Sequence, residues 1–300
     1  MNILKLDEFR PNIRTYGGAS CKKLGITIDS RPYLVKFPDN LKLKNIKNTQ
    51  LSYSNSPECE YLGSHIFELC GLKTHNTKLG SRDGKIVVLC EDFCVDGVTL
   101  AEFQRIKVTF EPTLVDSEGN ETNGLGADLD ETLLVIRQHH IFQFVQFPEL
   151  FFWKMFIVDA LIGNPDRNNG NWGVLIKDDS VLGFAPVYDN GNCLNNKWDD
   201  NKMLNALSSE KSMQASAYKG VVCFFTKNGN RVNPFHIIQS GDYVLCSEAL
   251  RLLLNQINID AILNLVDDEY FSQTRRTFYK KMLMQRYNEL CRINSKLQSN

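Results

Sequence analysis

A strongly apolar stretch followed at once by a polar loop constrains the fold of this chain more than any other feature. Residues 150–162, LFFWKMFIVDALI, are almost entirely apolar, whereas residues 163–171, GNPDRNNGN, are polar. The apolar run is too short to span a bilayer and is interrupted by Lys154 and Asp159, so it predicts a buried helix that begins at Pro148. The rest of the chain must cover this helix and hold the polar loop at its end.

The composition indicates a soluble globular protein with reduced thiols. Of the 300 residues, 43% are hydrophobic and 23% are charged, and the 34 basic and 35 acidic side chains nearly cancel, so no nucleic-acid partner is expected. The nine cysteines are scattered without a C-x-x-C pair, which argues against a zinc site or a disulfide framework. No signal peptide and no membrane span are predicted, and we expect a cytoplasmic protein.

Two regions with different secondary structure are predicted. Residues 1–93 combine β-strands with one helix over residues 57–70, which Ser56 would cap and Gly71 would end. Residues 94–300 are mainly helical. The predicted strands are GITIDS, RPYLVKFP and KIVVLCEDF, a loop is predicted at 108–131, a hairpin after 171, and helices at 130–144, 148–162 and from 243 to the end.

The polar loop carries an aspartate and an asparagine at a spacing that is typical of phosphoryl transfer. In GNPDRNNGNWGVLI, Asp166 would accept the proton of an attacking hydroxyl and Asn171 would coordinate Mg²⁺ between nucleotide phosphates. Asp189 in APVYDNGN opens a later loop, where kinase-like folds place their main Mg²⁺ ligand. An EF-hand calcium loop is excluded because its twelfth position is Lys177. A simple Asn/Gly turn stays an alternative for either loop.

Three upstream features extend the pattern towards a nucleotide site. Lys36 lies within the apolar strand PYLVKFP, where its charge is costly unless it is paired. Glu60 on the predicted helix would pair with it, and Gly17 and Gly18 in RTYGGASCKK would let backbone N–H groups approach phosphates. Taken singly, an edge-strand lysine and a solvated first-turn glutamate explain the same residues. The order of the elements along the chain is that of a bilobal kinase.

The chain resembles the HipA-like Ser/Thr kinases in six segments that follow one another over residues 14–194. The resemblance implies an α+β, bilobal protein-kinase-like fold with a small β-rich N-lobe, residues 1–93, and a larger helical C-lobe, residues 94–300. It also implies a bacterial Ser/Thr protein kinase that uses ATP and Mg²⁺. The matching segments are YGGASCKK, YLVKFP, ECEYLGSHIFELCGL, VVLCEDF, FIVDALIGNPDRNNGNWGVLI and FAPVYDNG.

The resemblance assigns roles to individual residues. Asp166 is expected to be the catalytic aspartate, Asn171 and Asp189 to hold Mg²⁺, and Glu60 to orient Lys36 towards the ATP phosphates. The five histidines show no metal-ligand spacing and are assigned no role. The residues expected to bind the nucleotide are Gly17, Gly18, Ala19, Ser20, Lys36 and Glu60, with the backbone of the hinge residues Glu91, Asp92 and Phe93.

Expectations about partners and regulation also come from the resemblance. The acceptor is expected to be a Ser or Thr of a protein substrate, and the phosphate loop is expected to be autophosphorylated at Thr15 or Ser20. Toxin-type HipA proteins carry a subdomain before this loop, whereas the loop here is reached by Gly17, so an antitoxin partner is not expected. Non-classical secretion into host cells is suggested by the family resemblance alone.

Two other functions fit the same residues. A phosphoinositide or small-molecule kinase would share the DRNNGN loop and the later aspartate, and the basic helix at 275–286 would be its membrane-facing surface. A catalytically inactive nucleotide-binding scaffold would bind ATP without transferring phosphate. The presence of all the expected ionisable groups favours an enzyme over this inactive scaffold.

Overall fold

A five-stranded sheet forms the first part of the structure, a computed structural model that describes residues 2–17, 21–44, 50–110 and 124–299. Its strands are Ile3–Lys5 (β1), Lys23–Ile28 (β2), Arg31–Lys36 (β3), Thr77–Arg82 (β4) and Lys85–Glu91 (β5). They lie in the order β1-β4-β5-β3-β2, with β1 parallel to β4 and the other neighbours antiparallel.

A tight hairpin sets the register of the strand that carries Lys36. Asp29 and Ser30, between β2 and β3, both have positive φ. A two-residue turn of this kind matches the right-handed twist of the strands that it joins. The resulting register pairs Lys36 with Lys23 of β2, and on its other side β3 pairs Lys36 with Val88 of β5. Lys36 therefore lies well inside the sheet at the end of β3.

One helix, α1 (Ser56–Leu69), covers one face of this sheet and packs against β4 and β5. Leu79, Val88 and Cys90 form the apolar cluster on that face. The other face buries a separate cluster that includes Ile26, Val35, Phe37, Val87 and Leu89. Because β5 contributes side chains to the clusters on both faces, consecutive residues along this strand are apolar.

Helices and a three-stranded sheet form the rest of the chain. The helix at Pro148–Ile162 lies at the centre of the main core, where it contacts α1 and four other helices, and its end presents the polar loop. The strands are Thr99–Glu102 (β6), Gly173–Lys177 (β7) and Ser180–Phe184 (β8), with a short pair Thr226–Lys227 (β9) and Asn230–Arg231 (β10). The helices are Phe103–Phe110 (α2), Leu129–Gln138 (α3), Pro148–Ile162 (α4), Asp200–Leu207 (α5), Glu210–Gln214 (α6), Pro234–Ser240 (α7), Val244–Leu254 (α8), Ile259–Val266 (α9) and Gln273–Ser299 (α10).

The predicted α+β fold, β-rich at its start and helical afterwards, is confirmed. The three predicted strands correspond to β2, β3 and β5, the hairpin to β7 and β8, and the predicted helix at 148–162 to α4. The C-terminal helical prediction corresponds to α8, α9 and α10. The division of the chain at residue 93 stays a prediction.

Several local predictions were wrong. The strands β1 and β4 were missed, although the Asp83-Gly84 pair after β4 is a hairpin turn in which both residues have positive φ. Residues 108–110 lie in α2 rather than in a loop, and residues 111–123 of that predicted loop lie outside the described residues. The helix α1 starts at Ser56 itself, with Asn55 in the capping position, while Gly71 has the expected positive φ after its end.

Within the described residues, no single helix has the length and apolar character needed to cross a membrane. The helices α8 and α9 have that length and apolar character only when they are taken together, and the chain bends by 75° between them.

Candidate active site

A cavity of about 300 Å³ brings most of the predicted nucleotide-binding residues together. It lies between the five-stranded sheet and the loops that follow α4 and β8. Residues from the predicted phosphate loop, lysine strand, hinge, catalytic loop and metal loop all line it. These are Gly17, Lys36, Glu91, Asp92, Phe93, Asn171 and Asp189, joined by Tyr16, Lys23, Leu34, His75, Cys90, Cys94, Leu100, Glu102, Gly170 and Tyr188.

Lys36 bridges two carboxylates at the inner end of this cavity. Its Nζ lies 3.0 Å from Glu60 Oε2 and 2.9 Å from Asp189 Oδ1. Burial lowers the pKa of Lys36, but the charges of Asp189 and Glu60 outweigh burial and hold that pKa well above its ordinary value. The ammonium therefore stays charged. The bridge joins Lys36 to one partner 24 positions away in the sequence, Glu60, and to another 153 positions away, Asp189.

Glu60 is the most completely satisfied acid of the site, and only 1% of its surface is exposed. The Lys36 ammonium and the Gly191 N–H donate to Oε2, while His75 Nε2 and the Asn190 N–H donate to Oε1. Burial raises the pKa of Glu60, but the charge of Lys36 and the bond from His75 outweigh it, so the pKa lies far below its ordinary value.

His75 is a site residue that the sequence did not predict. It lies before β4, its Nε2 is 3.1 Å from Glu60 Oε1, and its backbone N–H donates to Val187 before the metal loop. A histidine can donate a hydrogen bond to a carboxylate from one ring nitrogen, and this contact requires no particular spacing of residues in the sequence. His75, Glu60 and Cys90 place possible ligand atoms within 4.8 Å of one another. With Lys36 already bound to Glu60, this cluster does not fit a cation.

The backbone of Asp189 explains how the metal loop reaches Glu60. Asp189 adopts a left-handed conformation with φ of 59°, and the next two N–H groups, those of Asn190 and Gly191, both contact Glu60 at 3.0 Å. Aspartate is one of the few residues that tolerate this conformation. The side chain of Asp189 remains 44% exposed, facing the cavity.

The catalytic loop holds Asp166 through amide side chains. Asn192 Nδ2 donates to Asp166 Oδ2 at 2.7 Å, and Asn168 Nδ2 donates to Oδ1 at 3.2 Å. Asn171 Nδ2 donates to the backbone carbonyl of Asp166 at 2.8 Å, so the amide oxygen Oδ1 is the atom of Asn171 that can bind a cation. Asp166 and Asn171 are thereby fixed relative to each other. Asn192 and Asn168 were not predicted.

Arg167 connects the catalytic loop, the metal loop and α4. Its guanidinium is 2% exposed and makes two bonds to Asp159 of α4, of 2.8 and 3.0 Å. It also donates to the carbonyls of Asn171 and Tyr188 and to the side chain of Asn190. Burial lowers the pKa of Arg167, but the charge of Asp159 raises it further, so the guanidinium stays protonated. In the sequence, Asp159 within the apolar run was interpreted only as an interruption of that run, although an aspartate on a buried helix also indicates a buried cationic partner.

The hinge is tied to the segment that leads into the phosphate loop. Asp92 Oδ2 accepts hydrogen bonds from Arg14 Nη1 at 2.7 Å and from the Tyr16 hydroxyl at 3.0 Å. Burial and the charge of Asp92 raise the pKa of Tyr16. The N–H groups of Glu91 and Asp92 donate to Asn76 and Pro32 carbonyls. The segment therefore lies over one wall of the cavity.

Only part of the predicted phosphate loop can be located. Gly17 lines the cavity, and its carbonyl accepts a hydrogen bond from Lys23. A Cβ at Gly17 would meet none of the described residues within 4 Å, so none of them requires a glycine there. Gly18, Ala19 and Ser20 lie outside the described residues.

A β-rich region that faces a helical region across a cavity, with a Lys–Glu pair at its inner end, defines a protein-kinase-like fold. The chain is 31% identical over 286 residues to the serine/threonine-protein kinase CtkA of Helicobacter pylori, covering 94% of this chain and 84% of that protein. It belongs to the HipA-like serine/threonine kinases and is itself a serine/threonine-protein kinase. Membership implies a nucleotide, a divalent metal ion and a protein substrate.

Solved structures agree with this assignment. The crystal structure of the Helicobacter pylori proinflammatory kinase CtkA superposes with a TM-score of 0.84 at 27% identity, covering 99% of this chain and 98% of that chain. HipA of Shewanella oneidensis MR-1, from a complex with HipB and operator DNA, shares the fold at a TM-score of 0.55 and 11% identity, covering 98% and 69% of the two chains. No family sequence model matches the chain.

Proposed function

We propose that the chain transfers the γ-phosphoryl group of ATP to a Ser or Thr hydroxyl of a protein, with Mg²⁺ as the metal ion. The bridge from Lys36 to both Glu60 and Asp189 carries the proposal. It joins the lysine expected to contact phosphates to the acid expected to bind the metal, at the inner end of the cavity. In this proposal residues 1–93 form the lobe above the nucleotide and residues 94–300 the lobe below it.

Asp166 is the residue to which we assign the proton of the acceptor. The hydroxyl oxygen attacks the γ-phosphorus, the bond from that phosphorus to the bridging oxygen of ADP breaks, and the hydroxyl proton passes to the Asp166 carboxylate. The bonds from Asn168 and Asn192 hold this carboxylate in place, so little reorganisation is needed. Asp166 then returns the proton to solvent.

The residues present suit Mg²⁺, which prefers oxygen ligands. Asp189 would offer a carboxylate oxygen and Asn171 the amide oxygen that its own hydrogen bond to Asp166 leaves available. When bound, the ion neutralises charge on the phosphates. Lys36, which Glu60 holds, would add a second positive charge.

The hinge supports a place for the adenine ring. The N–H groups of Glu91 and Asp92 are occupied within the fold, so we assign adenine recognition to the Phe93 N–H and to the hinge carbonyls. Phe93 also lies 5.7 Å, between ring centroids, from Tyr188 of the metal segment. We further propose autophosphorylation of the phosphate loop, at the exposed Thr15 or at Ser20.

Intact mass after incubation with ATP and Mg²⁺, with a generic Ser/Thr protein substrate present, tests the proposal. We expect a gain of one phosphate on the chain or the substrate, and a fall in rate of about 10²–10⁴-fold in Asp166→Asn and Asp189→Asn. The matched control is Asp179→Asn, the same chemical change at an exposed turn of the same region, which should keep full activity. Nucleotide binding without any transfer would overturn the proposal.

A further inference from the structure

A second cavity, of about 510 Å³, lies beside the catalytic loop on the helical side of the molecule. Pro165, the neighbour of Asp166, lines it. So does Asn192, whose amide also holds the Asp166 carboxylate. A protein segment that presents its hydroxyl to Asp166 must therefore pass close to this cavity.

The wall of this cavity is cationic. Lys197 and Arg286 contribute two positive charges, and none of the described residues that line the cavity is an aspartate or a glutamate. The wall also carries polar side chains, those of Asn192, Asn195, Asn196, Ser216 and Trp198. The Ser216 hydroxyl donates to the Ser212 carbonyl and the Asn196 amide donates to Gly191 and Asn192, so the amides of Asn192 and Asn195 and the Trp198 indole N–H are the groups that can donate to a ligand. Such a set of donors, without a carboxylate to neutralise it, suits an anion.

Arg286 is the unusual member of this wall, because it is buried without an acid. It comes from α10, 1% of its surface is exposed, and its Nε and Nη1 donate to the carbonyls of Ala217 and Leu161. No carboxylate among the described residues pairs with it. Burial lowers the pKa of Arg286 to about 10, and the nearby Cys193 counters that effect only in part. A buried cation that lacks a counterion is costly to the fold.

The fold nevertheless makes room for this guanidinium. Gly163 ends α4 with φ of 66°, and a Cβ there would lie 2.4 Å from Arg286 Nη2. A side chain at position 163 would thus displace Arg286 from the wall. The Arg286 guanidinium therefore lies against the start of the catalytic loop, three residues before Asp166. No carboxylate of the described residues neutralises it there.

We propose that this cavity binds an acidic side chain of the protein substrate, a few residues from the phosphorylated Ser or Thr. The inference rests on the proposed function and adds the substrate class. Lys197 and Arg286 supply the charge, the asparagine amides supply further hydrogen bonds, and Asp166 lies beyond the shared Asn192. The site selects acidic sequences over neutral ones of the same shape.

The selection is tested with pairs of peptide pools that have a central Ser. In each pair one flanking position is fixed, as Glu in one pool and as Gln in the other. Each of the four positions before and the four positions after the serine is tested in this way. Two quantities are measured with each pool, the rate of phosphate transfer and the equilibrium binding of fluorescent peptide without ATP. At one position or more we expect the Glu pool to react faster and to bind more tightly, by about tenfold for one charged hydrogen bond.

Three variants assign the preference to the cavity. Lys197→Met and Arg286→Met should each reduce the Glu-to-Gln ratio to about two or less, whereas Lys211→Met, an exposed lysine outside the cavity, should keep it. A thermal melt first shows whether Arg286→Met folds, since that residue also bonds two carbonyls. If it does not fold, Lys197→Met decides the question alone.

The outcomes separate this inference from the proposed function. Equal binding and equal rates for the Glu and Gln pools at every position, or no binding of either, would overturn the acidic-substrate site, as would a preference that Lys197→Met leaves unchanged. A preference for Glu in binding, with no transfer to any pool, would support the site and count against the proposed phosphoryl transfer. Transfer at equal rates, with equal binding, would support only the kinase.

Discussion

Replacing Glu60 by glutamine should be among the most destabilising conservative changes in this protein. The carboxylate accepts four hydrogen bonds, two at each oxygen, from Lys36, His75 and two backbone N–H groups. A glutamine retains one accepting oxygen and turns an NH₂ group towards two donors. Lys36 would also keep only Asp189 as its acid.

The magnitude follows from the number of bonds lost. Each hydrogen bond to a charged group contributes about 1.5–3 kcal/mol, and removing one partner of a buried pair costs about 3–5 kcal/mol. We therefore expect Glu60→Gln to lower the free energy of unfolding by about 3–5 kcal/mol at pH 7. The assay is urea denaturation of the wild type and the variant, followed by circular dichroism.

Glu58→Gln is the matched control, two positions away on the same helix. Glu58 is also buried, but it accepts a single side-chain bond, from the Tyr270 hydroxyl, and burial raises its pKa. Its replacement should cost about 1 kcal/mol or less.

The pH dependence of the two variants should have opposite signs. The pKa of Glu60 is lowered in the folded state, so its stabilising effect is present above the unfolded value of about 4.5 and is lost as the pH falls towards the folded pKa. The cost of Glu60→Gln should shrink below about pH 4.5 for this reason. The raised pKa of Glu58 predicts that the cost of Glu58→Gln grows as the pH falls. Equal costs for the two variants at pH 7, or a Glu60→Gln cost that does not shrink in acid, would refute the reasoning.

Three further predictions follow from single residues of the site. Arg167→Met should lower the free energy of unfolding, measured by urea denaturation, by about 3–5 kcal/mol, because it leaves Asp159 buried without its cation. The double variant with Asp159→Leu should recover part of that loss, and no recovery would contradict the pairing. Asn192→Ala should lower kcat by about tenfold while leaving the KM for ATP unchanged, since it removes one bond that orients Asp166; a change in KM alone would contradict this role. Cys70 should resist iodoacetamide at pH 8 in the native protein, because burial raises its thiol pKa to about 12, and mass spectrometry should find it labelled only after unfolding.

The local sequence determined most of the secondary structure. Pro148 and the apolar run after it gave the bounds of α4, and the glycine after the run ends it with the expected positive φ. Helix ends and strands depend on residues that are close in sequence, so periodicity and turn chemistry suffice to find them. The strand β4 was missed because Lys78 and Gly80 interrupt its apolar pattern; Gly80 is needed where Leu6 packs within 2.8 Å of a Cβ position.

The expectation that Lys36 needs an acidic partner also came from the sequence alone. A charged group in an apolar strand must be paired, whatever the fold. The structure adds that Glu60 and Asp189 share this ammonium, and that His75 shares Glu60. These contacts are made between elements far apart in the chain, and no spacing rule encodes them.

Only the tertiary structure decided which side chains meet around the catalytic loop. Arg167 reaches back to Asp159 in α4, and Asn192 reaches back from the metal loop to Asp166. Arg286 comes from the last helix, 125 positions from the Leu161 carbonyl that it contacts. The sequence supplied charges and amides that had to be satisfied somewhere. Which partner satisfies each of them depends on how the helices pack, because that packing buries the groups together and removes the water that would otherwise compete.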